Sequence, residues 1–185
     1  VGELGWELHH PMDKMETLYD AIMEAGKEFG IANFGTYAMN SLRMEKAYKG
    51  WGGELTTEIT PMEAGLDRFV DFSKCFLGRE ATLSRKLLGV NTKLVYVSVE
   101  TADSDCLGNE TVLNPKAPSG ENIIGVTTSG AYGHTVSQSL AFAYVHPKFA
   151  EPGTKFEIRV LGHNCSATVL KEAAYDPHNL RLRDV

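Results

Sequence analysis

The most regular apolar pattern lies near the beginning of the chain, in the segment PMDKMETLYDAIMEAGKEFG. Five apolar residues fall on one side of a helix drawn through this segment: Met15, Leu18, Tyr19, Ile22 and Met23. This spacing is typical of an amphipathic helix, and it predicts one over residues 13–25. Asp13 and Glu16 have the spacing of a capping box, and Gly26 is suited to end the helix.

Two more helices are predicted before residue 90. TYAMNSLRMEKAY, residues 36–48, places Ala38, Leu42 and Met39 on one side, and we expect that helix to end near Gly50. The segment GLDRFVDF has the composition of a strand, and FLGREATLSRKLLG predicts a third, shorter helix after it. Helices with an intervening strand indicate an α+β segment.

The pattern changes at about Lys93, where short segments rich in β-branched and aromatic residues begin. There are five of them, separated by Gly, Pro, Asn or Asp: KLVYVSVE, NIIGVTTSG, SLAFAYV, KFEIRVL and SATVLKE. Short strands with turn signals between them are typical of sandwiches and barrels. We therefore predict an α+β segment over residues 1–89, followed by an all-β barrel or jelly-roll-like module over residues 92–185. The strands, within 92–172, should be antiparallel and pack against the helices.

Charge and cysteine content narrow the class of protein. The net charge is −6 and the pI about 5.5, which argues against a surface that follows nucleic-acid phosphates. No run of about 18 apolar residues is present, so no membrane-spanning helix is predicted. The chain has three cysteines, an odd number, and they lie far apart in sequence: Cys75, Cys106 and Cys165. This favours free, mostly buried thiols in a reducing compartment over disulfides or a zinc site.

The sequence contains no recognisable catalytic nucleophile or metal motif. Six histidines lack metal-ligand spacing, and we expect them to be solvated or singly hydrogen-bonded: His9, His10, His134, His146, His163 and His178. The Gly-x-Ser-x-Gly, Gly-x-Gly-x-x-Gly and Walker patterns are absent. A serine hydrolase and a nucleotide-binding cradle are therefore not indicated.

Two charged residues remain as candidates for ligand binding. Glu7 lies near the end of the alternating stretch GELGWEL, and its carboxylate could accept two parallel N–H bonds from a planar heterocycle, although the residue taken alone favours a solvated carboxylate. Alternation would place Glu3 and His9 on the same face as Glu7. Arg43 is predicted on the second helix, either in a structural ion pair that fixes the helix or in contact with a ligand.

Several of these stretches together resemble a known family. They occur in order along nearly the whole chain: GELGWEL, GTYAMNSLRMEKAYKGWGGELTTEITPMEAGL, FLGREA, GVTTSGAYGHTVSQSLAFAYV and AYDPHNLRLRD. The sequence resembles the C-terminal half of the tetrahydrofolate-dependent aminomethyltransferases, the T-proteins of the glycine cleavage system. Within that family it is most similar to the branch fused to a flavin domain, the dimethylglycine and sarcosine dehydrogenases and dimethylglycine oxidase.

The resemblance implies a three-part fold around a folate channel, with the β-module as its last part. It assigns Glu7 to the pterin edge of tetrahydrofolate, and alternation makes His9 the next candidate along the same face. The family's ligand Arg in Ala-Arg-Asp-Ser-Leu-Arg is replaced here by Met39, whereas its second Arg is retained as Arg43. The tail of the folate should therefore be held differently, with Arg181 or the nearby Arg183 as candidates for its carboxylates.

The resemblance also implies what this chain lacks. The family's catalytic Asp, the FAD-binding domain and much of the channel wall would lie upstream, so we expect a piece of a longer enzyme that is inactive and aggregation-prone alone. In the complete enzyme an N-methyl amine would be oxidised at FAD, and its one-carbon unit would pass to tetrahydrofolate. The alternatives are a non-catalytic regulatory subunit of this fold, a folate-dependent tRNA-modifying relative, and the glycine cleavage aminomethyltransferase itself. The compartment would be the mitochondrial matrix in a eukaryote and the cytoplasm in a bacterium; the amine and the oligomeric state stay open.

Overall fold

A computed structural model describes residues 1–118 and 120–183 of the chain. Within these residues four α-helices form: α1 (Met15–Gly26), α2 (Thr36–Glu45), α3 (Arg79–Leu88) and α4 (Leu180–Arg183). The same residues contain six β-strands: β1 (Lys93–Val99), β2 (Thr111–Leu113), β3 (Ile123–Gly133), β4 (Gln138–Val145), β5 (Lys155–Val160) and β6 (His163–Val169). The helices precede the strands, except for α4 near the end.

The six strands close into an antiparallel barrel in the order β1-β4-β3-β2-β5-β6. Alternate side chains of each strand point inward, because successive residues of a strand face opposite sides. Val95, Val97 and Val99 of β1 lie in the interior with Ala141 and Ala143 of β4. The predicted antiparallel barrel is therefore confirmed, including the five strands that the sequence pattern indicated.

The outer face of β1 and β4 is also buried, because helix α2 covers it. Met44 of α2 is fully buried against Leu94 and Tyr96 of β1 and Leu140 and Phe142 of β4. This explains why the strand is continuously apolar after Ser139, in the run LAFAYV, on both of its faces. Burial on both faces makes α2 and the barrel one packed unit.

Strand β3 contains a bulge that changes the direction of its side chains. Its register against β4 shifts between Thr127 and Ser129, so Thr128 is an extra residue in the ladder. A bulge lets two consecutive side chains turn toward the same side, which a regular strand does not allow. Thr128 and Ser129 both use this freedom, and their hydroxyls bind the same carboxylate oxygen.

Several sequence-based expectations about local structure were wrong. The segment GLDRFVDF is not a strand: a 3-10 turn occupies Asp67–Phe69, and the amides of Leu66 and Val70 donate to nearby carbonyls of the same loop. Local turn bonds satisfy these amides, so no partner strand is needed. The short strand β2 was missed. GELGWEL forms no strand either within the described residues.

The predicted helix boundaries need smaller corrections. No capping box forms at the start of α1, because the 3-10 turn Met12–Lys14 precedes it and Lys14 occupies the cap without a side-chain bond. The helix ends at Gly26 as predicted, but a further 3-10 turn follows before Gly30 adopts a left-handed conformation at φ 70°. Helix α2 ends at Glu45, earlier than the predicted end between residue 48 and Gly50.

The apolar side of α1 does not pack onto the barrel. None of its residues is buried, and Met15, Tyr19 and Ile22 are exposed. The expectation that the β-module packs against both long helices is therefore confirmed for α2 and wrong for α1.

Candidate functional site

A densely bonded polar group lies at the junction of α2 and the barrel, centred on the carboxylate of Glu54. Arg43 Nη1 donates to its Oε2 at 2.9 Å, and the backbone amide of Gly50 donates to the same oxygen at 2.7 Å. On the other oxygen, Oε1, the hydroxyl of Thr128 donates at 2.7 Å, and that of Ser129 donates as well. Glu54 is fully buried, so four donors replace the water that its charge has lost.

These contacts keep Glu54 ionised. Burial alone would raise its pKa, but the hydrogen bonds from Ser129, Gly50 and Thr128, together with the Arg43 charge, hold the pKa below the usual range of a glutamate. A carboxylate whose two oxygens are both occupied, and whose pKa is depressed, is poorly suited to exchange protons with a substrate. Glu54 therefore has the properties of a structural anchor.

Arg43 is bonded through each of its guanidinium nitrogens. Besides Glu54, Nε donates to Asn40 Oδ1 at 2.8 Å, Nη2 to Ser129 Oγ at 3.0 Å, and Nη1 to the carbonyl of Tyr48 at 3.1 Å. Of the two roles predicted for Arg43, these contacts form the structural ion pair, and Glu54 is its partner. The assignment of Arg43 to a ligand stays a prediction.

Helix α2 is fixed to the barrel by further polar contacts on the same side. Ser41 Oγ donates to the carbonyl of Tyr132 at 2.6 Å, and the buried Glu45 carboxylate accepts the amide of Thr135 at 2.6 Å. Lys46 Nζ lies 3.1 Å from Asp176 Oδ2 and also donates to the Asp176 carbonyl at 2.8 Å. These bonds attach the β3–β4 hairpin and the C-terminal segment to one helix.

Glu7, the predicted pterin ligand, lies in an open part of the chain. Its side chain is 92% exposed, and the nearest ionisable side chain among the described residues is His9, whose Nε2 lies 3.8 Å from Oε2. No hydrogen bond of the described residues uses the Glu7 carboxylate, so both oxygens can accept a ligand. The neighbouring Trp6 is 86% exposed. The structure thus places Glu7 and His9 side by side, although the stretch is not the strand from which their shared face was predicted.

Arg181 lies elsewhere, in the short helix α4. Its backbone amide donates to Asp176 Oδ2 at 3.3 Å, and its guanidinium carbon lies 5.8 Å from the ring centroid of Tyr175. No hydrogen bond or ion pair among the described residues joins Arg181 to Glu7, His9 or Arg43. The four candidate residues therefore occupy three separate places: an open stretch, a buried network and the C-terminal helix.

Sequence reasoning missed Glu54 and its hydroxyl partners. The available signal was the glycine-rich GWGGEL, since a carboxylate in a tight turn that follows a helix can reach back to that helix. The bulge that aims Thr128 and Ser129 at Glu54 left no comparable signal in TTSG.

Within residues 1–118 and 120–183, no group of three or more His, Cys, Asp or Glu side chains is arranged to hold a metal ion. No helix among those residues has the length and hydropathy needed to span a membrane.

Two family models match the chain. One, described as the GCVT N-terminal domain, matches residues 1–74, and the other, the glycine cleavage T-protein C-terminal barrel domain, matches residues 93–176. The second match coincides with the closed barrel. Together the two matches cover most of the chain.

Known proteins match over nearly the whole chain. It is 44% identical to mitochondrial dimethylglycine dehydrogenase of Mus musculus over 187 residues, covering 99% of this chain and 21% of that protein. It is 32% identical to the aminomethyltransferase of Caldanaerobacter subterraneus subsp. tengcongensis, covering 95% of this chain and 46% of that protein. The chain thus spans about a fifth of the dimethylglycine dehydrogenase.

One solved structure supports the fold. The crystal structure of glycine cleavage system aminomethyltransferase T from Bartonella henselae superposes with a TM-score of 0.77, covering 90% of this chain and 45% of that one. At 23% sequence identity this likeness concerns the fold alone. It confirms the predicted architecture, a helical segment followed by the T-protein barrel.

Proposed function

The chain belongs to the glycine cleavage T-protein family, and on that premise we propose that it is the tetrahydrofolate-binding, C-terminal portion of a dimethylglycine or sarcosine dehydrogenase-like enzyme. Such an enzyme passes a one-carbon unit from an N-methyl amine to tetrahydrofolate. The observation that carries the proposal is the match to dimethylglycine dehydrogenase, which extends over 99% of the chain.

The choice of branch within the family has two supports. Identity to the dimethylglycine dehydrogenase exceeds identity to the aminomethyltransferase, 44% against 32%. In addition, Met39 stands where the family resemblance places a ligand Arg, and its side chain is exposed on α2. A methionine cannot pair with a carboxylate, so a folate tail bound here needs another cation. We propose Arg181 for that role.

Glu7 is the residue that we propose for the pterin. Its carboxylate is exposed and accepts no hydrogen bond from the described residues, so it fits a ligand that presents two parallel N–H donors. His9 lies beside it and would contact the same ligand. Tetrahydrofolate supplies the nitrogen atoms that accept the one-carbon unit. The role of this chain is to orient the ring system of the folate.

The remaining groups of the reaction would come from outside this chain. We propose that FAD, the binding site of the N-methyl amine and the catalytic Asp lie in other parts of the enzyme, and that this chain by itself does not turn over amines. Nucleic acids and membranes are not proposed as partners. The relatives named above include a mitochondrial enzyme and a bacterial one, so we propose the mitochondrial matrix for a eukaryotic source and the cytoplasm for a bacterial one.

The test is a titration of the complete enzyme with tetrahydrofolate, comparing the wild type with Glu7→Gln. The amide keeps the shape of the side chain but presents one acceptor and one donor where the pterin needs two acceptors. Losing charge-assisted bonds of about 1.5–3 kcal/mol each should weaken folate binding roughly tenfold to several hundredfold. Amine oxidation at the flavin, followed with an artificial electron acceptor, should stay nearly unchanged.

Glu3→Gln is the matched control, because Glu3 carries the same group in the same exposed stretch. Folate binding that is unchanged in Glu7→Gln would remove Glu7 from the site. A loss confined to Glu3→Gln would move the assignment to Glu3. Absence of folate binding in the wild type would refute the proposed function itself.

A further inference from the structure

A second charged region lies at the C-terminal end of α2. A cleft of about 690 Å³ opens between the residues that follow α2, the turn at 65–69 and the segment 171–179. Four cationic side chains line this cleft: Lys46, Lys49, Arg68 and Lys171. Two acidic ones accompany them, Glu172 and Asp176. The cleft is thus positive in a chain whose net charge is −6.

One of the four cations is already neutralised. The Lys46 side chain is 2% exposed, and its ammonium group is paired with Asp176 at 3.1 Å. The other three have no carboxylate within 4.0 Å among the described residues. Glu172 lines the same cleft without pairing to any of them at that distance. Three uncompensated positive charges therefore share one concave surface.

Lys49 shows the consequence of this arrangement. It is half-buried, and burial together with the neighbouring Arg68 charge lowers its pKa, against the opposing effect of Glu54. Two like charges repel each other, and water screens the half-buried Lys49 less than a fully exposed lysine, whereas Arg68 itself is exposed. An anion placed between them would remove this cost.

The geometry points to a binding site for a small organic anion that carries two or more carboxylate or phosphate groups, held by Lys49, Arg68 and Lys171. Arg68 suits a planar bidentate contact, whereas the two lysines act as point charges. The cleft volume is in the range of small-molecule sites, larger than a single phosphate requires. Leu55, Leu66 and Phe69 line it as well and would contact the uncharged part of the ligand. The inference does not depend on the proposed function, because it uses none of the residues assigned to folate.

Calorimetric titration with citrate and, separately, with pyrophosphate tests this site. We expect at least one probe to bind the wild-type chain, more weakly as salt is added, because exposed charges are screened over about 10 Å at 0.1 M ionic strength. Lys49→Gln and Arg68→Gln should each weaken that binding about tenfold, the loss of one charge-assisted contact. Preference for citrate would identify a polycarboxylate site, and preference for pyrophosphate a phosphate site.

Lys155→Gln is the control, because Lys155 is an exposed lysine on β5 that does not line the cleft. The proposal would be overturned if Lys49→Gln and Arg68→Gln bound the probe with the same affinity as the control. It would also be overturned if the folded wild-type protein bound neither citrate nor pyrophosphate. Circular dichroism checks the folding of each variant. Should a variant fail to fold, chemical-shift mapping on the wild type replaces it: shifts confined to residues 46–49, 65–69 and 171–179 support the site, and shifts elsewhere overturn it.

Discussion

The guanidinium of Arg43 and the carboxylate of Glu54 form a largely buried ion pair at the junction of α2 and the barrel, with 2.9 Å between Nη1 and Oε2. The side chain of Glu54 is fully buried and that of Arg43 is 17% exposed. Ser129 of β3 bonds to both members of the pair. The pair therefore joins three segments that are distant in sequence: helix α2, the turn that follows it and strand β3.

Breaking this pair should strongly destabilise the fold. Glu54→Gln leaves the Arg43 charge without its partner in a mostly dry site, and we expect a loss of about 3 kcal/mol in the free energy of unfolding. Urea unfolding followed by circular dichroism measures it. Glu58→Gln makes the same chemical change at an exposed position four residues later, and it should alter the free energy by less than about 0.5 kcal/mol. Equal midpoints for the two variants would contradict the structural role of Glu54.

The same carboxylate predicts how stability depends on pH. The pKa of Glu54 is lower in the folded protein than in the unfolded chain, so on acidification the unfolded chain takes up the proton first. The stabilisation is complete above the ordinary glutamate value of about 4.3 and is lost as the pH falls through the lower folded value. Unfolding free energies measured from about pH 7 to pH 3 should fall in the acid range, and the slope there should be shallower in Glu54→Gln. Parallel curves for the two proteins would contradict this assignment.

Much of the barrel could be predicted because its strands obey local rules. In β4, for example, Leu140 and Phe142 alternate with Ala141 and Ala143, and apolar residues on both faces identify a strand covered on both sides. The three residues of β2 were too few for any periodic pattern. The loop at 65–72 was misread because apolar and aromatic residues also occur in turns whose amides bond locally.

The candidate site was less predictable than the fold. The partners of Arg43 come from Glu54 and from the bulge at Thr128 and Ser129, and a register shift between two strands has no signature in either strand alone. The alternating stretch made Glu7 a candidate, but its assignment to the pterin came from the family motif alone, since an exposed carboxylate in an irregular segment does not identify a ligand. The likeness of whole segments to a family carried information that periodicity could not.

Gly125 of β3 leaves no room for a side chain against strand β4. A Cβ atom at this position would lie 2.1 Å from the carbonyl oxygen of Tyr144 in β4, well inside the contact distance. Gly125→Ala should therefore force β3 and β4 apart and cost at least about 2 kcal/mol. Thermal unfolding measures the loss. Gly5→Ala is the control, since the nearest atom to its new Cβ is 3.9 Å away. A Gly125→Ala variant as stable as this control would contradict the strand register described here.

The three cysteines should differ sharply in reactivity, because the thiolate is the reactive form and burial disfavours it. Cys106 is fully buried, and burial, followed by the nearby Glu110 charge, raises the pKa of its thiol to about 12. Cys75 is exposed and Cys165 is half-buried. With iodoacetamide at about pH 8, Cys75 should be alkylated first, Cys165 more slowly, and Cys106 only after denaturation. Mass spectrometry of peptides from timed samples gives each rate, and Cys75→Ser should remove the fast phase alone. Rapid alkylation of Cys106 in the folded chain would show that the barrel interior opens far more readily than its packing implies.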